Sequence, residues 1–202
     1  KLFFFIGKYR IKKGLNLPIT GSPKQDISKT IRTKKVAILG DDYVGMKPTM
    51  LVSIGDEVKL GQVLFTDKKT PGVKYTSPAS GTISQINRGE KRAFKSIVID
   101  AKGSDEELFK SYSESELEGL AQDDVKENLV NSGLWTSIRV RPFSKVADPT
   151  TDPNSIFITA TDTNPLAPSI NKVLYGNEKN FNNGIKVLSN LTDGKVFLCA
   201  NP

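Results

Sequence analysis

Histidine is absent from all 202 residues, and cysteine occurs once. Without histidine, the Ser-His-Asp and Cys-His arrangements of nucleophilic catalysis and imidazole-based metal sites are excluded within this chain. A lone thiol excludes an intramolecular disulfide, a zinc knuckle and an iron-sulfur cluster ligated by this chain alone. That thiol, Cys199, stands in the apolar run Val196-Phe-Leu-Cys-Ala200, which reads as a strand and predicts a buried, inert side chain. No apolar run approaches the ~20 residues of a membrane span. The opening Lys1-Leu-Phe-Phe-Phe-Ile-Gly7 is a short burst without the small-residue cleavage pattern of a signal peptide, and reads as an edge strand or an extension. There is no initial Met and the chain stops directly after a strand-like run, so the sequence is expected to be a piece of a longer one.

A hydrophobic fraction of 37% with 25% charged residues describes an ordinary folded chain, long enough for one large domain or two small ones. The net charge of +7 comes from scattered pairs, Lys12-Lys13, Lys34-Lys35, Lys68-Lys69 and Lys91-Arg92. A nucleic-acid surface interleaves aromatics with its basic residues, and only Phe94 stands near such a pair, so no nucleic-acid partner is expected. Anionic lipid headgroups and an acidic partner suit the excess equally well.

The chain is organised around residues 51–87. Gly55-Asp-Glu-Val58 and Gly61-Gln-Val-Leu-Phe65 set short apolar runs between glycine-marked turns, predicting two short strands and a tight corner. Tyr75-Thr-Ser-Pro78-Ala-Ser-Gly81-Thr-Ile83-Ser-Gln-Ile86 repeats the pattern, with proline where a strand is expected to begin. Between them Lys68-Lys-Thr-Pro71-Gly72-Val73 predicts an exposed hairpin tip. The two halves together resemble the biotinyl/lipoyl barrel-sandwich module, which presents a modified lysine on its central hairpin. Thr66-Asp-Lys-Lys-Thr-Pro71 lacks the setting in which carrier lysines are modified, so the scaffold is read as kept and the swinging arm as absent.

Elsewhere, Tyr9-Arg-Ile-Lys-Lys-Gly14 alternates as a strand with one wet face, and Leu15-Asn-Leu-Pro18-Ile-Thr-Gly21 is a turn-rich exit. Lys34-Lys-Val-Ala-Ile-Leu-Gly40 is expected to be a more buried strand. The spacing of Gly40 and Gly45 is a weak nucleotide signal without the full fingerprint and its following helix. Arg88-Gly-Glu-Lys-Arg-Ala-Phe94 predicts a polar hairpin into a closing strand, Ser96-Ile-Val-Ile-Asp100. From Gly103 to Ser132 the texture turns acidic and helical. Ser113 and Glu116 fit a capping box, and a helix from Asp123 or Asp124 to Ser132 carries Val125 and Leu129 on one face and stops at Gly133. Ser155-Ile-Phe-Ile-Thr-Ala160, a helix face of Phe181, Ile185 and Leu188, and Lys195-Val-Phe-Leu-Cys199 form a βαβ unit. Ligands in such sheets gather at the strands' carboxyl ends, here the loop from Thr161 to Leu166. The expected organisation is an N-terminal strand and turn segment (1–33), a barrel-sandwich β domain (34–102), a helical linker (103–132) and a truncated α/β domain (133–202), an α+β or mixed chain.

The strings Ile11-Lys-Lys-Gly-Leu-Asn-Leu-Pro18, Gly40-Asp-Asp-Tyr-Val-Gly-Met46, Asp67-Lys-Lys-Thr-Pro-Gly-Val73, Ile86-Asn-Arg-Gly-Glu-Lys-Arg92, Ser132-Gly-Leu-Trp-Thr136, Arg141-Pro-Phe-Ser-Lys145 and Asp162-Thr-Asn-Pro-Leu166 resemble the A-subunit family of bacterial sodium-translocating NADH:quinone oxidoreductases. That resemblance implies a peripheral place at the cytoplasmic face of the inner membrane, and work with other subunits in quinone reduction coupled to sodium export. It also implies a Rossmann-like second domain related to the flavin-bearing subunit of respiratory complex I. There a Ser-Gly-Leu run opens a glycine-rich loop. Here Ser132-Gly133-Leu134 leads into Trp135-Thr-Ser-Ile-Arg139-Val-Arg141-Pro142, and the relative's acidic Glu-Pro-Gly loop stands as Asn164-Pro165-Leu166. Side chains then block flavin and nucleotide, so this chain is expected to bind no cofactor, with NADH, flavins and iron-sulfur centres on other subunits.

A quinone head needs a flat wall and a donor for its carbonyl oxygens, where negative charge grows on reduction. Trp135, Phe143, Arg139 and Arg141 are candidates by residue type, with Tyr43 and Met46 as a second wall. The competing reading has the arginines capping a helix or pairing with a neighbouring protein of the complex, and Trp135 in the core. No catalytic or metal-ligating residue is assigned. A non-catalytic docking or carrier module using the barrel-sandwich tip is the alternative function.

Overall fold

The computed structural model describes residues 18–27 and 29–200. The strand expected over Tyr9 to Gly14 and the apolar opening Lys1 to Gly7 lie outside them. Residues 18–27 and 29–33 form neither helix nor strand. Within that segment the Gln25 side-chain oxygen accepts the Ser169 amide at 2.8 Å, linking it to a loop far along the chain.

Seven strands follow: β1 (Lys35–Leu39), β2 (Pro48–Met50), β3 (Glu57–Val58), β4 (Val63–Asp67), β5 (Lys74–Thr76), β6 (Gly81–Arg88) and β7 (Phe94–Ala101). They form two antiparallel sheets, ordered β1-β7-β6-β3 and β2-β4-β5. Alternation decides which side chains meet between the sheets. Ile83, Ile97 and Ile99 point inward from one, and Phe65 and Tyr75 from the other, while Leu64 is buried beside Phe65 where a bulge between Val63 and Phe65 breaks the alternation. Each such side chain contributes on the order of 1.5–3 kcal/mol by leaving water. The expected hairpin tip is present between β4 and β5, and the polar hairpin between β6 and β7.

Two expectations in this region need correction. The strand anticipated at Pro78 begins at Gly81, where any β-carbon would run into the Asp100 carbonyl of the neighbouring strand. Strand β1 is less buried than its sequence suggested: it lies at a sheet edge, and only Val36 and Ile38 turn toward the core while Lys35, Ala37 and Leu39 face water.

Residues 103–112 are not helical. They run as an extended strap held to the barrel by the Leu60 amide on the Asp105 carbonyl (2.9 Å) and the Glu107 amide on the Leu60 carbonyl (2.8 Å). Helical structure begins at a 3₁₀ segment, Glu114–Gly119, where the Ser113 amide donates to the Glu116 carboxylate at 2.7 Å, one half of the expected capping box. Helix α1 (Gln122–Asn131) follows, with Val125 buried and Leu129 packed on the core. Gly133 ends it in the left-handed region, at φ 79°.

A short 3₁₀ turn, Leu134–Ser137, leads to the hairpin of β8 (Arg139–Val140) and β9 (Lys145–Val146). Beyond it β10 (Ser155–Thr159), α2 (Ile170–Leu174), α3 (Glu178–Ser189) and β11 (Lys195–Cys199) realise the βαβ expectation, with β10 and β11 paired in parallel. Cys199 is exposed, contrary to expectation. Among the described residues nothing covers one apolar face of the two-stranded sheet, with Phe157 64% exposed although stacked on Phe197 at 4.8 Å, so an apolar run did not imply burial here.

Candidate functional site

A cleft of about 570 Å³ opens where the β4–β5 hairpin, the loop before β2 and the β8–β9 hairpin meet. The junction is built by packing on β5. The Thr76 hydroxyl donates to the Ser132 carbonyl (3.0 Å), and the Lys74 ammonium to Asn131 Oδ1 (2.7 Å), which seats the end of α1 on the barrel. Gly133 passes so close to Thr76 that a β-carbon would collide with its hydroxyl.

Asp67, at the end of β4, fixes the barrel side. Its Oδ1 accepts the backbone amides of Lys47 (3.0 Å) and Lys69 (2.9 Å), tying the loop before β2 to the hairpin tip. The Lys68 amide adds a bond to the Lys47 carbonyl (2.9 Å). The loop so held presents Tyr43 edge-on to Tyr75 at 4.8 Å, and Tyr75 stacks on Phe65 at 4.6 Å. From the other side, the Arg139 guanidinium lies 4.8 Å above the Tyr43 ring and donates to the Asp42 carbonyl at 3.1 Å. Cation, aromatic edge and aromatic floor thus form one continuous stack.

Tyr75 is the telling group. It lines the cleft and is 2% exposed, and its buried hydroxyl has no hydrogen-bond partner among the described residues. Burial raises its pKa, the charges of Asp67 and Tyr43 raise it further, and Arg139 opposes the shift. The phenol therefore stays neutral, and a buried neutral phenol is a proton donor lacking an acceptor. Across the cleft, Asp148 is held below the ordinary carboxylate range by the Thr150 hydroxyl (2.7 Å) and amide (2.9 Å), so its charge persists in mild acid. Lys69 and Lys145 stand at the rim. Among the described residues no cluster of histidine, cysteine, aspartate and glutamate is suited to hold a metal ion.

Of the six residues singled out in the sequence, the structure brings three to this place: Tyr43 and Met46 line the cleft, and Arg139 covers Tyr43. Trp135 needs correction as a wall of the site. It is 2% exposed in the core, and its indole N–H donates to the Ala147 carbonyl at 2.8 Å. Arg141 and Phe143 sit on the exposed turn of the β8–β9 hairpin and do not line the cleft, Phe143 being 70% exposed. The loop from Thr161 to Leu166 does not line it either, and turns on the Asp162 carboxylate, which accepts the Asn164 amide at 2.9 Å. Sequence reasoning missed Tyr75, Asp67, Lys145 and Asp148 as site residues. For Tyr75 a signal was present: a tyrosine on the inward face of a strand needs a partner for its hydroxyl.

Two packed sheets followed by an α/β unit, with a cleft at their junction, define the class: a barrel-sandwich hybrid domain joined to a second alpha/beta domain. Two family models match, described as the NqrA N-terminal barrel-sandwich hybrid domain over residues 9–102 and the NqrA second alpha/beta domain over residues 120–202. The chain belongs to the NqrA family. It is 59% identical over 191 residues to the NqrA component of the Na(+)-translocating NADH-quinone reductase of Marinomonas sp. (strain MWYL1), covering 95% of this chain and 43% of the relative. The corresponding protein of Saccharophagus degradans is 56% identical over 190 residues, 94% of this chain and 42% of its own. That of Shewanella amazonensis is 51% identical over 192 residues, 95% of this chain and 43% of its own. The chain thus spans less than half the length of these curated relatives.

Proposed function

We propose that this chain acts within a sodium-translocating NADH:quinone reductase as a peripheral component without a cofactor of its own, supporting reduction of a quinone coupled to sodium export. The relatives' names support the assignment to that complex, with its other subunits as partners. Among the described residues no helix is long and apolar enough to cross a membrane. The place proposed for the chain is peripheral, at the cytoplasmic face. The parallel pair β10 and β11, with α3 between them in the chain, suits a Rossmann-like second domain related to the flavin-bearing protein of complex I.

The orphaned Tyr75 hydroxyl carries the quinone reading. A quinone head is flat and apolar with an acceptor oxygen at each end. Placed beside Tyr43 and Met46, and with the side chains that close the Tyr75 hydroxyl off from the cleft displaced, it receives the Tyr75 proton donor on one carbonyl. The Arg139 and Lys145 charges near the rim favour the negative charge that develops on reduction. The chain's part is to bind and polarise; electrons come from the partner subunits.

Trp135 reports on binding because its indole is bonded to Ala147, which adjoins the cleft residues Val146 and Asp148. Titration with a short-tailed quinone is expected to quench its emission saturably, and Tyr75→Phe to weaken binding about fivefold, the worth of one hydrogen bond. Equal affinity in the two proteins, or quenching linear in quinone, removes the cleft as the site.

A further inference from the structure

On the other side of the loop before β2 lies a second depression, of about 640 Å³. Five cationic side chains surround it from three separate segments: Lys47, Lys68, Arg88, Lys91 and Arg92. Seven ion pairs neutralise lysines elsewhere on the described surface, and none of them draws on these five. The acid inside the depression, Asp41, is bound to Lys95 at 3.2 Å, while Glu90 stands in the same turn as Lys91. Positive charge therefore predominates in one concave place.

The backbone reinforces this. Lys91 and Arg92 are consecutive non-glycine residues in the left-handed region, at φ 52° and 60°. Such conformations cost energy and persist where the surrounding structure imposes them. Here the imposing contacts are the Gly89 amide on the Ala93 carbonyl (2.8 Å) and an Arg88 Nη1 donation to the Arg92 carbonyl (3.3 Å), which close the turn. Among the charges part of the lining is apolar: the half-buried Phe94 ring and Val44, which is exposed. A free phosphate gains nothing from that floor. An amphiphile gains from both parts, its phosphate on the cationic rim and its glyceryl ester on the apolar floor.

We propose that this depression docks the phosphodiester headgroup of an anionic phospholipid, so that the chain touches the bilayer surface directly and not only through partner subunits. Several basic residues acting together at an anionic surface add their attractions, and salt weakens them.

The test is co-sedimentation of the 202-residue chain with phosphatidylcholine vesicles, with and without phosphatidylglycerol, at fixed ionic strength. Binding is expected only with phosphatidylglycerol. The triple variant R88Q/K91Q/R92Q is expected to lower the partition coefficient about a hundredfold. R88K/K91R/R92K keeps the charge and is expected to retain binding, which separates loss of charge from loss of fold. The comparison K24Q/K102Q/K172Q removes the same charge from exposed lysines elsewhere. If it weakens binding as much as the first variant, bulk charge explains the effect and the site is wrong. Saturable binding of inorganic pyrophosphate without vesicle binding overturns the lipid assignment, and so does equal sedimentation with neutral vesicles or with neither.

Discussion

Replacing Tyr75 with phenylalanine should move two measurements in opposite directions. In the free chain the buried hydroxyl has no partner, and an unsatisfied buried polar group costs about 1–3 kcal/mol. Its removal leaves the ring stacked on Phe65, so Tyr75→Phe is expected to stabilise the chain by about 1 kcal/mol in urea unfolding while weakening quinone binding. A purely structural tyrosine gives destabilisation with no ligand effect, and that pattern would sink the reading. Gly133 makes the opposite case. Its φ of 79° and the nearby Thr76 hydroxyl leave no place for a β-carbon, so Gly133→Ala should cost at least about 2 kcal/mol by the same measurement. Gly133 was legible in the sequence as a helix stop, because the stop is a local matter. Its contact with Thr76 was not, because 57 positions separate the residues and only the packing of α1 on β5 joins them.

Strands and helices followed their patterns where the pattern was local, as in the β6–β7 and β4–β5 hairpins, α1 and the parallel pair β10 and β11. The pattern misled where burial depends on what lies opposite. Cys199 and Phe157 sit in apolar strands, yet a side chain is buried only when another layer covers it. The acidic strap at 103–112 reads as helix by composition, yet its backbone bonds to Leu60 hold it extended. The difference between covered and bare strands is measurable. Phe65→Ala, deep between the two sheets, should cost about 3–5 kcal/mol, whereas Phe157→Ala on the bare face should cost about 1 kcal/mol or less despite its stack on Phe197. Comparable losses would mean that the β10–β11 face is covered. Cys199 checks the same point chemically: a thiol reagent should label it in the folded chain nearly as fast as in the unfolded one.

Ion pairs tie the strap, α1 and the α/β unit to one another, and they set how the whole responds to pH. Lys179 holds Glu114 below its ordinary pKa and Lys126 does the same for Asp152, and each pair joins a residue before or within α1 to one beyond it. Asp100 is lowered by Ser84 and Lys35, and Glu116 by Ser113. A carboxylate whose pKa is depressed by folding binds fewer protons in the folded than in the unfolded chain, so stability rises with pH through that window. Its contribution is complete above the ordinary carboxylate value of about 4 and is lost as pH falls through the lower folded value. On the neutral side the absence of histidine removes the side chain that ordinarily titrates between about pH 5 and 8. The thermal midpoint is therefore expected to be nearly level from about pH 5.5 to 8 and to fall below about pH 4. Added salt should shrink the acid-side drop, because the pairs are exposed and screened. A midpoint that climbs steadily across the neutral range would mean that groups other than these carboxylates govern the response, and the role given to these ion pairs would have to be given up.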